Sequence, residues 1–440
     1  MGRGTRAVCS ALTIATALLV LVAGACGGDD PGPSPSASLS PAFSLGEPEP
    51  SGSATPDTPL PERPALAAQD TVGSELAAPL WDFGFDVLTR QAAKSGDNVV
   101  VSPVSLSAVL AMTLNGARGE TEAQMREALR LDELSPQQAN QAWADLIAAS
   151  NETEGAEVRI ADSLWLRDGV AFNADFLTAN RDYFAADARN LPADLAQAPA
   201  EINGWISERT GGRIEDLIDS VPDETVLMLV NTVYAKAGWD LFDASLTRDR
   251  PFTLATGASV DVPTMRGAFT ATVAAAAKYV AVPAQTDGDL TLWVVVPKGK
   301  QTVESVATLL QKQGAEALSA NPTAAQVTLE LPRFKAEYRS EQLRDDLVAM
   351  GMTDAFSAQD ADFGGMAKLD ALWIDDVLQK AMIDVNEEGV EAAAGSAVAM
   401  VGTGMPEKTM TVRADRPFIV VLSGSATQAP LFLAMVRDPR

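Results

Sequence analysis

The sequence predicts an α+β domain with large, mostly antiparallel sheets. Helix signals crowd the first third of the folded part, and strand-like apolar runs fill the remainder. The apolar fraction, 47% of 440 residues, suits a globular chain able to bury a sizeable core.

In chain order, the opening MGRGTRAVCSALTIATALLVLVAGAC has a short basic start, an uncharged apolar run and small residues before Cys26. That is the layout of an export signal over residues 1–25. VAGAC resembles a bacterial lipobox, which would make Cys26 the lipidated first residue of an exported, cell-surface protein. Secretion and a single membrane span are the alternatives, since the apolar run is nearly long enough to cross a bilayer. Residues 26–75 then turn to Pro, Ser, Gly, Asp and Glu. Ten of the 26 prolines fall between Pro31 and Pro64, so this stretch is expected to be a disordered linker without a core of its own.

From residue 76 to 440 the punctuation is that of a folded domain. Ser102 and Pro103 form a helix start, Leu106, Val109, Leu110 and Thr113 share one face, and Gly116 suits the stop. Thr121 and Gln124 have capping-box spacing for a second helix carrying Met125, Ala128 and Leu129. EINGWISERTGG reads as a further helix ended by Gly211 and Gly212. VLMLVNTVYA, LTLWVVV, VTLEL and KAMIDV read as strands, and PFIVVLS and PLFLAMV as a pair joined by a short polar loop.

Composition excludes much chemistry. Histidine is absent, which removes Ser-His-Asp and Cys-His nucleophile systems and His-ligated zinc. The only cysteines, Cys9 and Cys26, lie near the N-terminus, leaving the body without a disulfide or thiolate. No lysine has serine three residues before it, and no G-x-S-x-G elbow occurs. Paired carboxylates in IEDLID and WIDDV could serve a hydrolase, but in so acidic a chain such pairs arise by chance. The net charge of -26, or -28 once Arg3 and Arg6 leave with residues 1–25, repels phosphate backbones, so no nucleic-acid partner is expected. No catalytic residue, metal site or cofactor is predicted.

One ordered set of segments resembles the serpin family. It comprises NVVVSPVSLSAVLAMTLNGARGETEAQM from Asn98, RIADSLWL from Arg159, INGWISERTGGRIEDLI from Ile202 and LVNTVYAKAGWDLF from Leu229. It continues with VTLELPRFKAEY from Val327, MGMTDAFSAQDADFGGM from Met350, IDVNEEGVEAAAGSAV from Ile383 and ADRPFIVVLSGSATQAPLFLAMVRDP near the end. The resemblance implies three β-sheets, about nine helices and an exposed loop that baits serine proteases, with cysteine proteases as a second class. In serpins the cleaved, acyl-linked loop enters the main sheet as an extra strand and carries the protease with it. The implied protein is a monomeric, one-use inhibitor; a non-inhibitory serpin with a binding or structural role is the alternative.

The segment EEGVEAAAGSAVAM, from Glu387 to Met400, can be judged on physics as well as likeness. A strand presents alternate residues to each face. Here one set is Val390, Ala392, Ala394, Ser396 and Val398; the other, Glu391, Ala393, Gly395 and Ala397, holds the charge. Small inward residues let neighbouring strands part without leaving a buried charge unpaired, and Gly389 after Glu388 supplies a pivot. An Ala-rich run opening with Glu also suits a helix, but KAMIDVNEEG before it favours the inserting hinge over residues 388–399.

The resemblance also assigns supporting positions. Trp239 matches the tryptophan where the loop first passes into the sheet. Ser102, Ser105 and Asn231 match the polar cluster beneath the sheet's opening. Arg333 and Glu387 match an ion pair at the loop's root, expected to be solvated and so to stabilise by at most about 1 kcal/mol. Gln379 stands where the family commonly has histidine, so the opening should lack a titrating switch. Counting from Gly389 puts the scissile bond at Thr403–Gly404, within a bait of roughly residues 400–405. A loop about three residues longer than usual leaves Met400, Val401 and Gly402 as neighbouring candidates. AMVGTGM has no Arg, Lys or aromatic residue, which points to elastase-like or subtilisin-like proteases.

Overall fold

In the computed structural model, which describes residues 14–24, 74–151, 156–212, 214–286, 288–340, 342–369, 371–387 and 408–440, the helix signals of the first third appear in order. After β1 (Ile14–Gly24) come α1 (Ala77–Lys94), β2 (Val99–Val101) and α2 (Pro103–Leu114). Ser102 caps α2, its Oγ accepting the Ser105 N–H, and Pro103 fills the first turn, where its missing N–H costs nothing. Gly116 stands directly after the Asn115 cap of α2, as expected of a helix stop, and a Cβ there would stand 2.0 Å from Met366 Cγ, so close approach also dictates the glycine.

α3 (Gly119–Ala128) begins before Thr121, so Thr121 and Gln124 do not form the expected capping box. They anchor the helix to a later segment instead. Thr121 Oγ1 accepts the Asp362 N–H at 2.9 Å, and Gln124 Oε1 accepts the N–H groups of Thr353 and Asp354 at 2.9 and 2.8 Å. α4 (Pro136–Asn151), β3 (Ala156–Leu166), α5 (Ala174–Phe184) and β4 (Asp187–Asn190) follow. α6 (Ala198–Arg209) ends as predicted, with Gly211 and Gly212 in the left-handed region at φ 59° and 75°.

The rest is largely strand: β5 (Thr225–Ala237), β6 (Arg248–Thr253), β7 (Ser259–Ala274), β8 (Tyr279–Gln285), β9 (Leu290–Pro297), β10 (Pro322–Pro332), β11 (Phe334–Arg339), β12 (Trp373–Val385), β13 (Thr409–Arg413), β14 (Phe418–Gly424) and β15 (Pro430–Val436). Between them lie α7 (Val303–Gln313) and α8 (Leu343–Ala349), giving eight α-helices among the described residues against about nine expected.

The main sheet has the order β11-β12-β1-β5-β3-β4. A second array runs β13-β10-β7-β8-β9-β14-β15-β2, with β6 beside β7. It divides at β7, which meets β8 through the single pair Ala274–Ala281. Counted as two at that joint, the array and the main sheet make the three sheets that the resemblance implies. β5 is covered on both faces, which is why it reads as an apolar run interrupted in its middle only by Asn231 and Thr232. Leu229 and Val233 join the large core over α2, while Met228 and Val230 join a smaller core with Ile202, Trp205 and Ile206 of α6.

β1 lies inside the run that the sequence reads as an export signal, and it sits between β5 and β12, antiparallel to both. Among the described residues no helix is long and apolar enough to cross a membrane. Cys26, residues 26–73 of the linker, the whole hinge over residues 388–399, the bait and the scissile bond lie outside the described residues.

Candidate functional site

The seven supporting positions gather into two groups spaced along β12. The lower group is beneath the sheet, where α2 packs against β5 and β1. Ser102, Ser105, Asn231 and Gln379 are all fully buried there. The Gln379 amide is matched to one peptide group: its Nε2 donates to the Ser102 carbonyl at 3.0 Å, and its Oε1 accepts the Ser102 N–H at 3.4 Å. Ser102 Oγ donates to the Leu431 carbonyl at 2.7 Å, tying α2 to β15. An amide suits this place because it offers a donor and an acceptor together without carrying charge into the core.

Asn231 belongs to the same level of the sheet but takes a different partner. Its Nδ2 donates to Asp162 Oδ1 at 2.7 Å, across the directly opposed pair Asp162–Asn231 of β3 and β5. Asp162 is buried and was not among the predicted positions. The available signal was an acidic residue inside the strand-like RIADSLWL, where burial demands a partner. Ser105 Oγ and Asn231 Oδ1 make no hydrogen bond among the described residues.

The upper group grips the chain where β12 ends. Trp239 is buried, stands edge-on to Phe242 at 5.1 Å, and donates from Nε1 to the Asn386 carbonyl at 3.0 Å. The next residue, Glu387, is held by two partners: the Arg333 Nε and the Thr247 hydroxyl each donate to its carboxylate. The pair is not solvated as expected. The Glu387 side chain is 3% exposed against 45% for Arg333, so a carboxylate buried by its neighbours is neutralised from the surface side. Arg333 is fixed in turn by its own N–H, which donates to the Pro263 carbonyl at 2.9 Å. Thr247 and Asn386 were missed because one is a lone hydroxyl in a polar loop and the other acts through its backbone.

About seven residues of strand, roughly 23 Å, separate the two groups. One fixes the floor of the sheet beside the strand position between β5 and β12. The other fixes the root of the segment that leaves β12. No group of acidic or cysteine side chains able to hold a metal occurs among the described residues. The arrangement can clamp a chain beside a strand position; it does not set out a nucleophile with a base.

The family model that matches, described as Serpin (serine protease inhibitor), spans residues 79–439. An uncharacterized serpin-like protein of Thermococcus kodakarensis is 32% identical over 371 residues, covering 81% of this chain and 84% of that protein. Leukocyte elastase inhibitor of Xenopus tropicalis is 30% identical, covering 81% of this chain and 97% of its own. Among solved structures, the thermophilic serpin tengpin in its native state matches with a TM-score of 0.74 at 25% identity, over 86% of this chain and 97% of tengpin. Human thyroxine-binding globulin complexed with thyroxine shares the fold, with a TM-score of 0.73 at 24% identity over 84% of this chain and 100% of that one.

Proposed function

Because the chain belongs to the serpin family, a family of protease inhibitors rather than catalytic enzymes, we propose that it is a one-use inhibitor of serine proteases. It presents the bond Thr403–Gly404, or one of its neighbours from Met400 to Gly402, as bait. The protease serine attacks the carbonyl of the residue before the cut, the peptide bond breaks, and the new amine stays on the part C-terminal to the cut, which remains packed through β14 and β15 until the protein is denatured. The acyl-linked part remains joined to β12 through the hinge. It then takes the strand position between β5 and β12, and about 15 residues at roughly 3.3 Å each carry the protease about 50 Å.

The observation that carries this reading is the grip at Asn386 and Glu387. Trp239, Thr247 and Arg333 fix the root of the segment beside a strand position bordered by β5 and β12. After Glu388 comes a segment of Gly, Val, Ala and Ser from Gly389 to Ala399, with Glu391 in the set expected to face solvent. The side chains of AMVGTGM favour elastase-like or subtilisin-like targets. The layout before Cys26 supports an exported lipoprotein held at the cell surface by its linker.

Mixing the protein, freed of residues 1–25, with elastase or subtilisin tests the reading. The expected product is a covalent complex that survives denaturing electrophoresis, plus a released peptide whose mass identifies the bond cut. Cleavage with no complex would instead mark a non-inhibitory serpin.

A further inference from the structure

The strand position that the bait segment needs is filled by a different part of the same chain. Thr16 is level with Met382 of β12 and Tyr234 of β5, Leu19 with Gln379 and Asn231, and Gly24 with Trp373 and Thr225. β1 therefore runs antiparallel to both neighbours. A segment leaving the end of β12 and folding back along it would run in the same direction through the same place. One strand position cannot pair two chains at once, because each backbone N–H and C=O of β5 and β12 facing it serves one partner strand.

The composition of the two occupants differs in a telling way. IATALLVLVAG carries no charge and no proline, and it contains one Ile, three Leu and two Val in 11 residues. That composition suits a strand at the centre of a sheet covered on both faces. The competing segment from Val390 is mostly Ala and Gly and contains Glu391. It has less apolar surface to bury, so β1 is the stronger occupant by area.

Taking the inhibitory reading above as the purpose of this strand position, we infer that residues 14–24 act as an internal plug for as long as they remain on the chain. The form that keeps its leader has a complete six-stranded main sheet. Its bait can be cut, but the cut segment has nowhere to enter and the protease is released. The plug is the apolar run of the export signal that ends before Cys26, so removing the leader also arms the inhibitor.

The test uses the full-length chain with its leader retained, beside the full-length double variant Leu19→Pro, Leu21→Pro. Proline in a central strand removes ladder donors and should expel β1 without touching the body. Three properties are compared: backbone amide exchange over residues 229–233 and 377–381, thermal unfolding, and products after mixing with subtilisin. In the parent, those amides should be protected and the bait cut without a covalent complex. The variant should lose that protection, unfold about 10 °C lower and form a complex stable in denaturant. Equal exchange and equal unfolding in the two chains would overturn the plug, as would trapping by the parent at the variant's rate. If exchange and unfolding differ as expected but neither chain traps, occupancy of the strand position stands and the inhibitory reading falls instead.

Discussion

At the scale of single residues, the two groups along β12 make opposite demands. Glu387 is a buried carboxylate that depends on Arg333 and Thr247, so its cost appears when a partner is lost rather than when both are present. Arg333→Ala should therefore destabilise the protein by about 2 kcal/mol, above the range of a solvated pair. Glu387→Gln should cost less, because it removes the charge together with its need. Denaturant unfolding of both variants checks the order. Gln379 holds the Ser102 peptide without titrating. Gln379→His should introduce a pH dependence between about 5.5 and 7.5 that the parent lacks. Burial disfavours the imidazolium, so the folded state would bind that proton less readily than the unfolded chain, and the variant would lose stability as pH falls. Melting temperatures across that range measure it. That Ser102, Ser105, Asn231, Trp239, Arg333, Gln379 and Glu387 stand together along β12 was legible from the ordered segments that carry them, while their roles in loop entry rest on the resemblance. Asp162 and Thr247 were not legible, since each gains its role from a partner far away in sequence.

At the scale of elements, β5, β9, β14 and β15 were legible because burial on both faces forces long apolar runs, whereas β12, whose burial alternates, was read only at its end, from KAMIDV. Thr121 and Gln124 misled because local spacing cannot report that a side chain is committed to another segment, here residues 353–362. β1 was illegible as a strand: an uncharged apolar run after basic residues has the composition of a leader, and only the position between β5 and β12 makes it part of a sheet. β12 also carries a titrating cost. Burial raises the Asp384 carboxyl above its ordinary range, offset in part by the Asn386 amide and by Lys335, which lies opposite it on β11. The folded state thus holds the Asp384 proton more tightly than the unfolded chain. Its contribution is fully present below the unfolded value, near 3.8, and is lost as pH rises through the raised folded value. Asp384→Asn should accordingly raise the melting temperature by about 2 °C at pH 7, and the gain should vanish toward pH 4.

At the scale of the whole molecule, the inhibitory reading requires that the intact, leader-free protein be less stable than its cut form. With β1 gone, β5 and β12 would each lose the partner strand between them, and the hinge segment could not reach the position while both its ends were fixed, at Glu387 and at β13. Cutting the bait frees one end. A new central strand then adds on the order of ten net backbone hydrogen bonds, each worth about 1 kcal/mol, less the entropy of ordering the segment. Melting of the leader-free protein should rise by about 10 to 20 °C after subtilisin nicks the bait, with the hinge alternation of Val390, Ala392, Ala394, Ser396 and Val398 setting a single register. Ala394→Arg should be cut equally fast yet lose most of that gain, because a cation in the inward set would have to be buried unpaired. A melting temperature unchanged by the nick would mean that no strand is held in reserve, and trapping by insertion would have no source of free energy.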